Sequence, residues 1–204
     1  MTFTYPLTIL HIIKEDFMEL KEAVKTRRSI RAYKTDDISD EILKEIFELV
    51  KMSPSWANSQ CWEFVVVKDE KVKEDLINTM PEKNPARKAC FEAPVLIVAL
   101  GKKGRSGFKK GSPMTNKGDF WYMFDVGVAM QTLSLVAHGM GLGTVILGLF
   151  DAEKAGNVLK IPEDTEVVAM TPLGYPAKDS KCPPRKELKD FVYKNEYGVS
   201  CFNS

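Results

Sequence analysis

One domain built from both helices and strands is what this sequence predicts, and three observations carry the prediction. Its 204 residues fit a single domain of roughly 100 to 200 residues, or one elaborated domain, which argues against a second independent core. Apolar patterns at helical spacing, over residues 42–50 and 119–138, alternate with short apolar runs at 64–67, 95–100, 144–148 and 167–170 that read as strands. A hydrophobic content of 44% and a charged content of 28% are those of an ordinary globular chain.

The elements follow in order. Phe17, Leu20, Ala23 and Val24 recur at helical spacing, and their helix runs into Arg27-Arg28-Ser29-Ile30-Arg31-Ala32-Tyr33. Ser39 is placed to cap the next helix, with Asp40 and Glu41 in its first turn and Ile42, Leu43, Ile46, Leu49 and Val50 as its apolar face. Pro54 ends that helix, because proline cannot continue one. Strand 64–67, a helix starting at Asp69-Glu70 and a polar connection over 81–87 come next. The run 95–100 is continuously apolar, as in a strand buried on both faces.

Residues 101–118 are rich in glycine and lysine and almost free of apolar side chains, and read as a mobile surface loop, either a lid or an insertion. Residues 119–138 are apolar on more than one face, the pattern of a helix central to a fold or shared with a partner. Strand 144–148, a helix from a cap at Asp151 to Leu159 and strand 167–170 complete the body. Pro172-Leu173-Gly174-Tyr175-Pro176 turns away. From Phe191 the tail is polar and aromatic, with too little apolar surface to fold alone, so it lies on the body or on a second subunit.

The totals exclude several functions. A net charge of +1 gives no global field for nucleic acid or membrane, so any anion site is local. Cys61, Cys90, Cys182 and Cys201 are far apart and, with only His11 and His138, show no metal-ligand spacing, so no metal is expected. Isolated cysteines point to free thiols in a cytoplasmic setting. Residues 1–16 lack a basic n-region and an Ala-x-Ala site and read as an extension that packs on the body or is mobile, ahead of one domain over 17–204. No run approaches the roughly 20 apolar residues needed to cross a bilayer.

Two stretches carry chemistry. In Ser53-Pro54-Ser55-Trp56-Ala57-Asn58-Ser59-Gln60-Cys61-Trp62, two primary amides stand between two indoles. Such amides offer donors and an acceptor on one plane and suit the edge of a heteroaromatic ring; alternatively the stretch is a turn with Trp56 and Trp62 as core plugs. Arg27, Arg28 and Arg31 surround Ser29, either as a phosphate site or as a solvated basic face at a helix C-terminus. A second basic cluster, Lys181, Arg185 and Lys186, lies among prolines. Gly141-x-Gly143 is no dinucleotide fingerprint, since the glycines precede the strand and no third is properly spaced, and there is no GxxxxGK[ST] loop.

Taken together, four motifs resemble the flavin-dependent nitroreductase family, over about residues 17–197. They are Arg27-Arg28-Ser29-Ile30-Arg31; Ser53-Pro54-Ser55-x-x-Asn58-x-Gln60-x-Trp62; Asp125-Val126-Gly127 leading to Gly141-Leu142-Gly143-Thr144; and Gly174-Tyr175-Pro176 with Arg185-Lys186 beyond. Each is weak alone, but their order and separation are specific. The resemblance implies an α+β sandwich, a mostly antiparallel sheet flanked by helices, in a domain-intertwined homodimer with FMN in two interface clefts. Helix 119–138 would lie in the interface and the tail 191–204 on the partner subunit.

The resemblance also implies roles. Arg27, Arg185 and Lys186 would hold the FMN phosphate, with Arg28 and Ser29 along the phosphate and ribityl chain and Arg31 at the pyrimidine edge. Asn58 and Gln60 would bond the ribityl chain and flavin edge, with Ser55 reaching across the interface. Ile146, Leu147 and Gly148 would line one ring face. NADH or NADPH would reduce the flavin, and a small acceptor such as a nitroaromatic or quinone would reoxidise it by a ping-pong mechanism. FMN would carry the chemistry, so no catalytic side chain is expected. Cys61 stands where many relatives have proline, and Gly148-Leu149 where some have an acidic residue and glycine. The alternatives are a flavin-storage protein, a reductive dehalogenase-like or flavin-fragmenting relative, and a nucleic-acid binder using the basic loop.

Overall fold

The computed structural model describes residues 18–202, and the extension expected over 1–16 lies outside them. Helix α1 (Leu20–Thr26) leads through an extended segment to α2 (Asp40–Val50), capped by the Ser39 hydroxyl, which accepts the Ile42 N–H. Strand β1 (Trp62–Val67), helices α3 (Glu70–Ile77) and α4 (Ala86–Glu92), and strand β2 (Val95–Lys102) follow. A small hairpin, β3 (Phe108–Lys109) and β4 (Ser112–Pro113), precedes the long helix α5 (Trp121–Gly139). Strand β5 (Gly143–Thr144), helix α6 (Ala152–Leu159) and strand β6 (Thr165–Gly174) close the body.

The sheet has the order β1-β2-β6-β5 and every neighbouring pair is antiparallel. At its centre β2 shows why the run 95–100 is continuously apolar. Val95, Ile97 and Ala99 pack in one core with α2 and α5, while Leu96, Val98 and Leu100 pack in a second core with α3, α4 and α6. Strand alternation sends neighbours to opposite faces, and here helices cover both. Each such buried Val, Leu or Ile side chain contributes about 1.5–3 kcal/mol. The result is the expected α+β layering of an antiparallel sheet between helices.

Four local expectations change. The connection expected over 81–87 ends at Pro85, and the residues beyond it form α4, a helix without a side-chain cap. The strand expected over 144–148 shrinks to Gly143–Thr144, with one further bridge from Leu147 to Met170. Residues 172–174 stay in β6 rather than turning away. Met170 exchanges both backbone bonds with Leu147, so Pro172, two residues on, directs its missing N–H to the same β5 side, where the pairing is interrupted. The segment 101–118 holds the β3–β4 hairpin, with Ser106 and Gly107 buried at its base.

Helix α5 spans 19 residues, about 28 Å. Val126, Ala129, Met130, Leu133 and Ala137 face the core. Its other side is open: Met123, Phe124 (64% exposed), Gly127 and Leu135 line a shallow apolar depression. Residues 181–191 are exposed throughout, and Phe191, Tyr197, Val199 and Phe202 are exposed too, with Tyr197 against Tyr193 inside the tail itself.

Candidate active site

The chain leaves α1 at Arg27 and runs extended along the edge of the sheet. Ser29 bridges Thr144 in parallel, the Ile30 N–H donates to Thr144 O at 2.9 Å, and the Lys34 N–H to Tyr175 O at 2.9 Å. A methyl on Gly143 would come within 2.6 Å of Ile30, so only glycine lets the segment lie this close. Arg27, Arg28, Ser29 and Arg31 are thereby presented to the 180–185 segment, and Ser180, Lys181, Pro183 and Arg185 complete a cavity of about 460 Å³. No carboxylate lines it. Lys186 is not among its lining residues, whereas Lys181, part of the second basic cluster, is.

The cations are not equivalent. Arg28 donates to Lys25 O and Arg27 O at 2.8 Å each, closing the carbonyl end of α1 as a cation at a helix C-terminus does. Arg27 and Lys181 have no side-chain partner among the described residues. Arg31 and Arg185 reach only backbone carbonyls, at 3.4–3.5 Å. Behind the cavity, Thr26 Oγ1 lies 2.8 Å from His138 Nε2. The same hydroxyl lies 2.7 Å from Glu22 O, so one oxygen links the helix carbonyl to the ring. Burial holds the His138 pKa below the usual value of 6.5, and Arg27 and Arg28 push it the same way.

The amide loop is organised by Asp125, a buried residue of α5. One of its oxygens accepts the Trp56 N–H at 3.0 Å, the Ser106 hydroxyl, and the Cys61 thiol at 3.7 Å. Burial and the Asp125 charge push that thiol up to about 11. Ser55 Oγ accepts the Gln60 N–H at 2.9 Å, and Ser53 donates to Thr132 Oγ1 at 2.9 Å. The backbone is left-handed at Ala57 (φ 45°), Asn58 (55°) and Gln60 (45°), a strain of about 1–2 kcal/mol per residue. Asn58 and Gln60 are exposed, and neither amide side chain has a partner among the described residues. Trp62 is a core plug and Trp56 stacks edge-on with Trp121, but the amides are not spent on holding the turn. Strain that supports unpaired, outward polar groups is a mark of binding loops.

The third group of expected residues divides. Leu147 is buried and its N–H is taken by Met170 O at 2.8 Å, while Ile146 and Gly148 stay exposed just beyond Thr144, the partner of Ser29. Asp125 and His138 are 13 positions apart on α5, about 20 Å along its axis. Within one chain, the amide loop at one end of α5 and the cationic cavity at the other therefore do not meet. The motif that contains Asp125 does not reveal its partners, and nothing local pairs Thr26 with His138, since both partnerships span large stretches of chain. Among the described residues there is no His, Cys, Asp and Glu group able to hold a metal ion, and no helix long and apolar enough to cross a membrane.

A cavity lined by Arg27, Arg28, Arg31, Lys181 and Arg185, with the Ser29 hydroxyl and no acid, fits a phosphate dianion by the chemistry of its donors. Fold and site thus define a protein with a local site for a phosphate-like anion. The family model described as Nitroreductase family matches residues 24–175, and the chain belongs to the nitroreductase family, as an oxidoreductase. A Methanothermobacter thermautotrophicus protein carrying the provisional name NADH dehydrogenase/NAD(P)H nitroreductase is 30% identical, over 85% of this chain and 84% of its own. An NADH dehydrogenase of Thermus thermophilus is 26% identical, over 86% and 95%. The solved structure of a Clostridium novyi NT nitroreductase family protein has a TM-score of 0.70 at 31% identity, covering 90% of this chain and 97% of that one.

Proposed function

We infer that the chain is an FMN-dependent oxidoreductase that takes electrons from NADH or NADPH and delivers them to nitroaromatic, quinone or similar small acceptors. The observation that carries this reading is the acid-free cavity of Arg27, Arg31, Lys181 and Arg185 around Ser29. When bound, FMN supplies the redox chemistry, passing two electrons from donor to acceptor in a ping-pong sequence.

The chain's own residues bind and orient. Arg27, Lys181 and Arg185 neutralise the phosphate, and the Ser29 hydroxyl donates to it; Arg28 braces α1 behind them. Lys186, outside the cavity lining, adds only diffuse positive charge. Arg31 would set a cation against the pyrimidine edge of the flavin. Asn58 and Gln60 direct amide donors and acceptors at ring edge and ribityl hydroxyls, with Ser55 bracing the loop. Ile146 and Gly148 offer an apolar wall, while Leu147 anchors that wall to β6.

The amide loop is held at Asp125 and the cationic cavity backs onto Thr26 and His138, and those two positions of α5 are about 20 Å apart along its axis, so a site built from both draws one from each of two chains. The open face of α5 and the uncovered tail supply the surfaces for such a homodimer. The test is the visible spectrum of the purified protein, before and after anaerobic addition of NADH and then NADPH. Flavin bands that bleach and return on adding a nitroaromatic support the reading. A protein that stays colourless when offered FMN refutes it, and bands that never bleach mark a flavin-storage protein instead.

A further inference from the structure

The cations of the stretch 102–117 play no part in the site just described. Lys102, Lys103, Arg105, Lys109, Lys110 and Lys117 occur there without one acidic residue. Lys102 pairs with Glu63 at 3.0 Å. The other five are exposed and form no ion pair among the described residues. The hairpin that carries them is joined to the amide loop. Ser106 donates to the same Asp125 oxygen that holds the Trp56 N–H, and Gly107 lies against Trp121, whose ring meets Trp56 at 5.1 Å.

The tip of the hairpin adds a second observation. Lys110 and Gly111 form its two-residue turn with φ of 50° and 78°, the geometry that favours Asn or Gly at the first position. A lysine there is strained, and what it provides is an outward charge that asparagine lacks. Unpaired cations on the rim of a redox cleft face the part of a ligand that stays outside while its ring is inside. In a nicotinamide dinucleotide that part bears the phosphates.

We propose that the β3–β4 hairpin is the recognition element for the phosphates of the nicotinamide donor, with Lys109 and Lys110 taking the 2′-phosphate, so that NADPH is preferred over NADH. This rests on reading the amide loop as part of a flavin site. The test compares the FMN-loaded protein with its Lys109→Ala, Lys110→Asn double variant. Asparagine tolerates the left-handed turn, so the variant keeps its fold and loses charge alone. NADP⁺ and NAD⁺ are titrated by tryptophan fluorescence at low and high salt, alongside the rates of flavin bleaching by NADPH and NADH.

The NADP⁺ dissociation constant is expected to rise roughly tenfold, as when two exposed charges serving one phosphate are removed together, with a smaller change for NAD⁺ and unchanged FMN content. Equal affinity of the unaltered protein for NADP⁺ and NAD⁺, or an unchanged NADP⁺ affinity in the variant, overturns the assignment. So does a loss seen only when a carboxylated nitroaromatic replaces a neutral one, which makes the hairpin a site for anionic acceptors. FMN content is read first: a protein that takes up no flavin sinks the reading beneath the proposal, whereas a flavin-loaded protein indifferent to the 2′-phosphate sinks the hairpin assignment alone.

Discussion

The backbone N–H of Trp56 donates to the buried carboxylate of Asp125 at 3.0 Å, and that bond ties the strained amide loop to the long helix. Asp125→Ala leaves the Trp56 N–H and the Ser106 hydroxyl without their acceptor, at about 1–3 kcal/mol for each buried unsatisfied group. It is expected to lower the melting temperature and reduce bound flavin together. Asp125→Asn, which keeps an acceptor oxygen, should do less of both. Thermal denaturation and the flavin-to-protein absorbance ratio measure the two effects, and an alanine variant with full flavin would separate the loop from cofactor binding.

Arg27→Ala combined with Arg185→Ala removes two charge-assisted donors worth about 1.5–3 kcal/mol each. FMN affinity should fall by at least about a hundredfold with little change in melting temperature. Arg28→Ala should behave the other way round, since its guanidinium already serves the carbonyls of Lys25 and Arg27 and its loss frays α1. Titration of FMN fluorescence into flavin-free protein gives both numbers; equal losses for Arg27 and Arg28 variants would contradict this division of labour.

His138 is held neutral by burial and by Arg27 and Arg28. Its folded pKa lies below the ordinary value of 6.5, so the stability it contributes is present above pH 6.5 and is lost as pH falls through the lower folded value. An anion bound at Arg27 offsets part of the cationic push. Inorganic phosphate or FMN should therefore raise the His138 pKa, which NMR titration of its ring protons reads directly. An unmoved or lowered pKa would place the anion elsewhere.

Burial pushes Cys61 up to about 11 and Cys90 up to about 12, while Cys182 and Cys201 are exposed. At pH 8 the two exposed thiols should react with a disulfide reagent and the two buried ones should not, until denaturant is added. Both buried thiols favour the neutral form in the fold, so their stabilisation is intact below pH 9 and disappears as pH rises through 11 to 12. Mass spectrometry of the labelled protein checks the first statement and alkaline unfolding the second.

Gly143→Ala should damage the cationic site at a distance. The new methyl meets three Ile30 side-chain atoms at 2.6–2.9 Å, and overpacking of this kind costs about 1–3 kcal/mol. Relief requires Ile30 to move, and with it Ser29 and Arg31 on either side. Weaker FMN binding accompanied by a lower melting temperature is expected; unchanged affinity would mean that the segment gives way without disturbing its charges.

What could be read from the sequence was whatever depends on near neighbours. Ser39, Asp69 and Asp151 cap the helices assigned to them, because a cap is a bond between residues three apart. Strand β2 declared its two covered faces by composition alone. Helix α4 was not visible, since Pro85 provides no side-chain cap and the stripe it buries, Ala86, Ala89 and Cys90, is made of small side chains only. The two-residue strands of the hairpin leave no periodicity to detect. In the site, Arg27, Arg28, Ser29, Arg31 and Arg185 line one cavity, with Lys181 rather than Lys186 beside them, because the extended chain after Ser180 sets which side chains face inward. Asp125 could not be read as the anchor of Trp56, for nothing local encodes a bond across that length of chain.

The separation of the two functional ends of α5 has a genetic meaning. In the proposed homodimer each chain lends its amide loop to one flavin and its arginines to the other. A chain lacking Arg27 and Arg185, paired with one lacking Asn58 and Gln60, then carries both lesions in one cleft and none in its twin. Two inactive proteins, unfolded and refolded together, regain half the activity of a native dimer in every mixed pair.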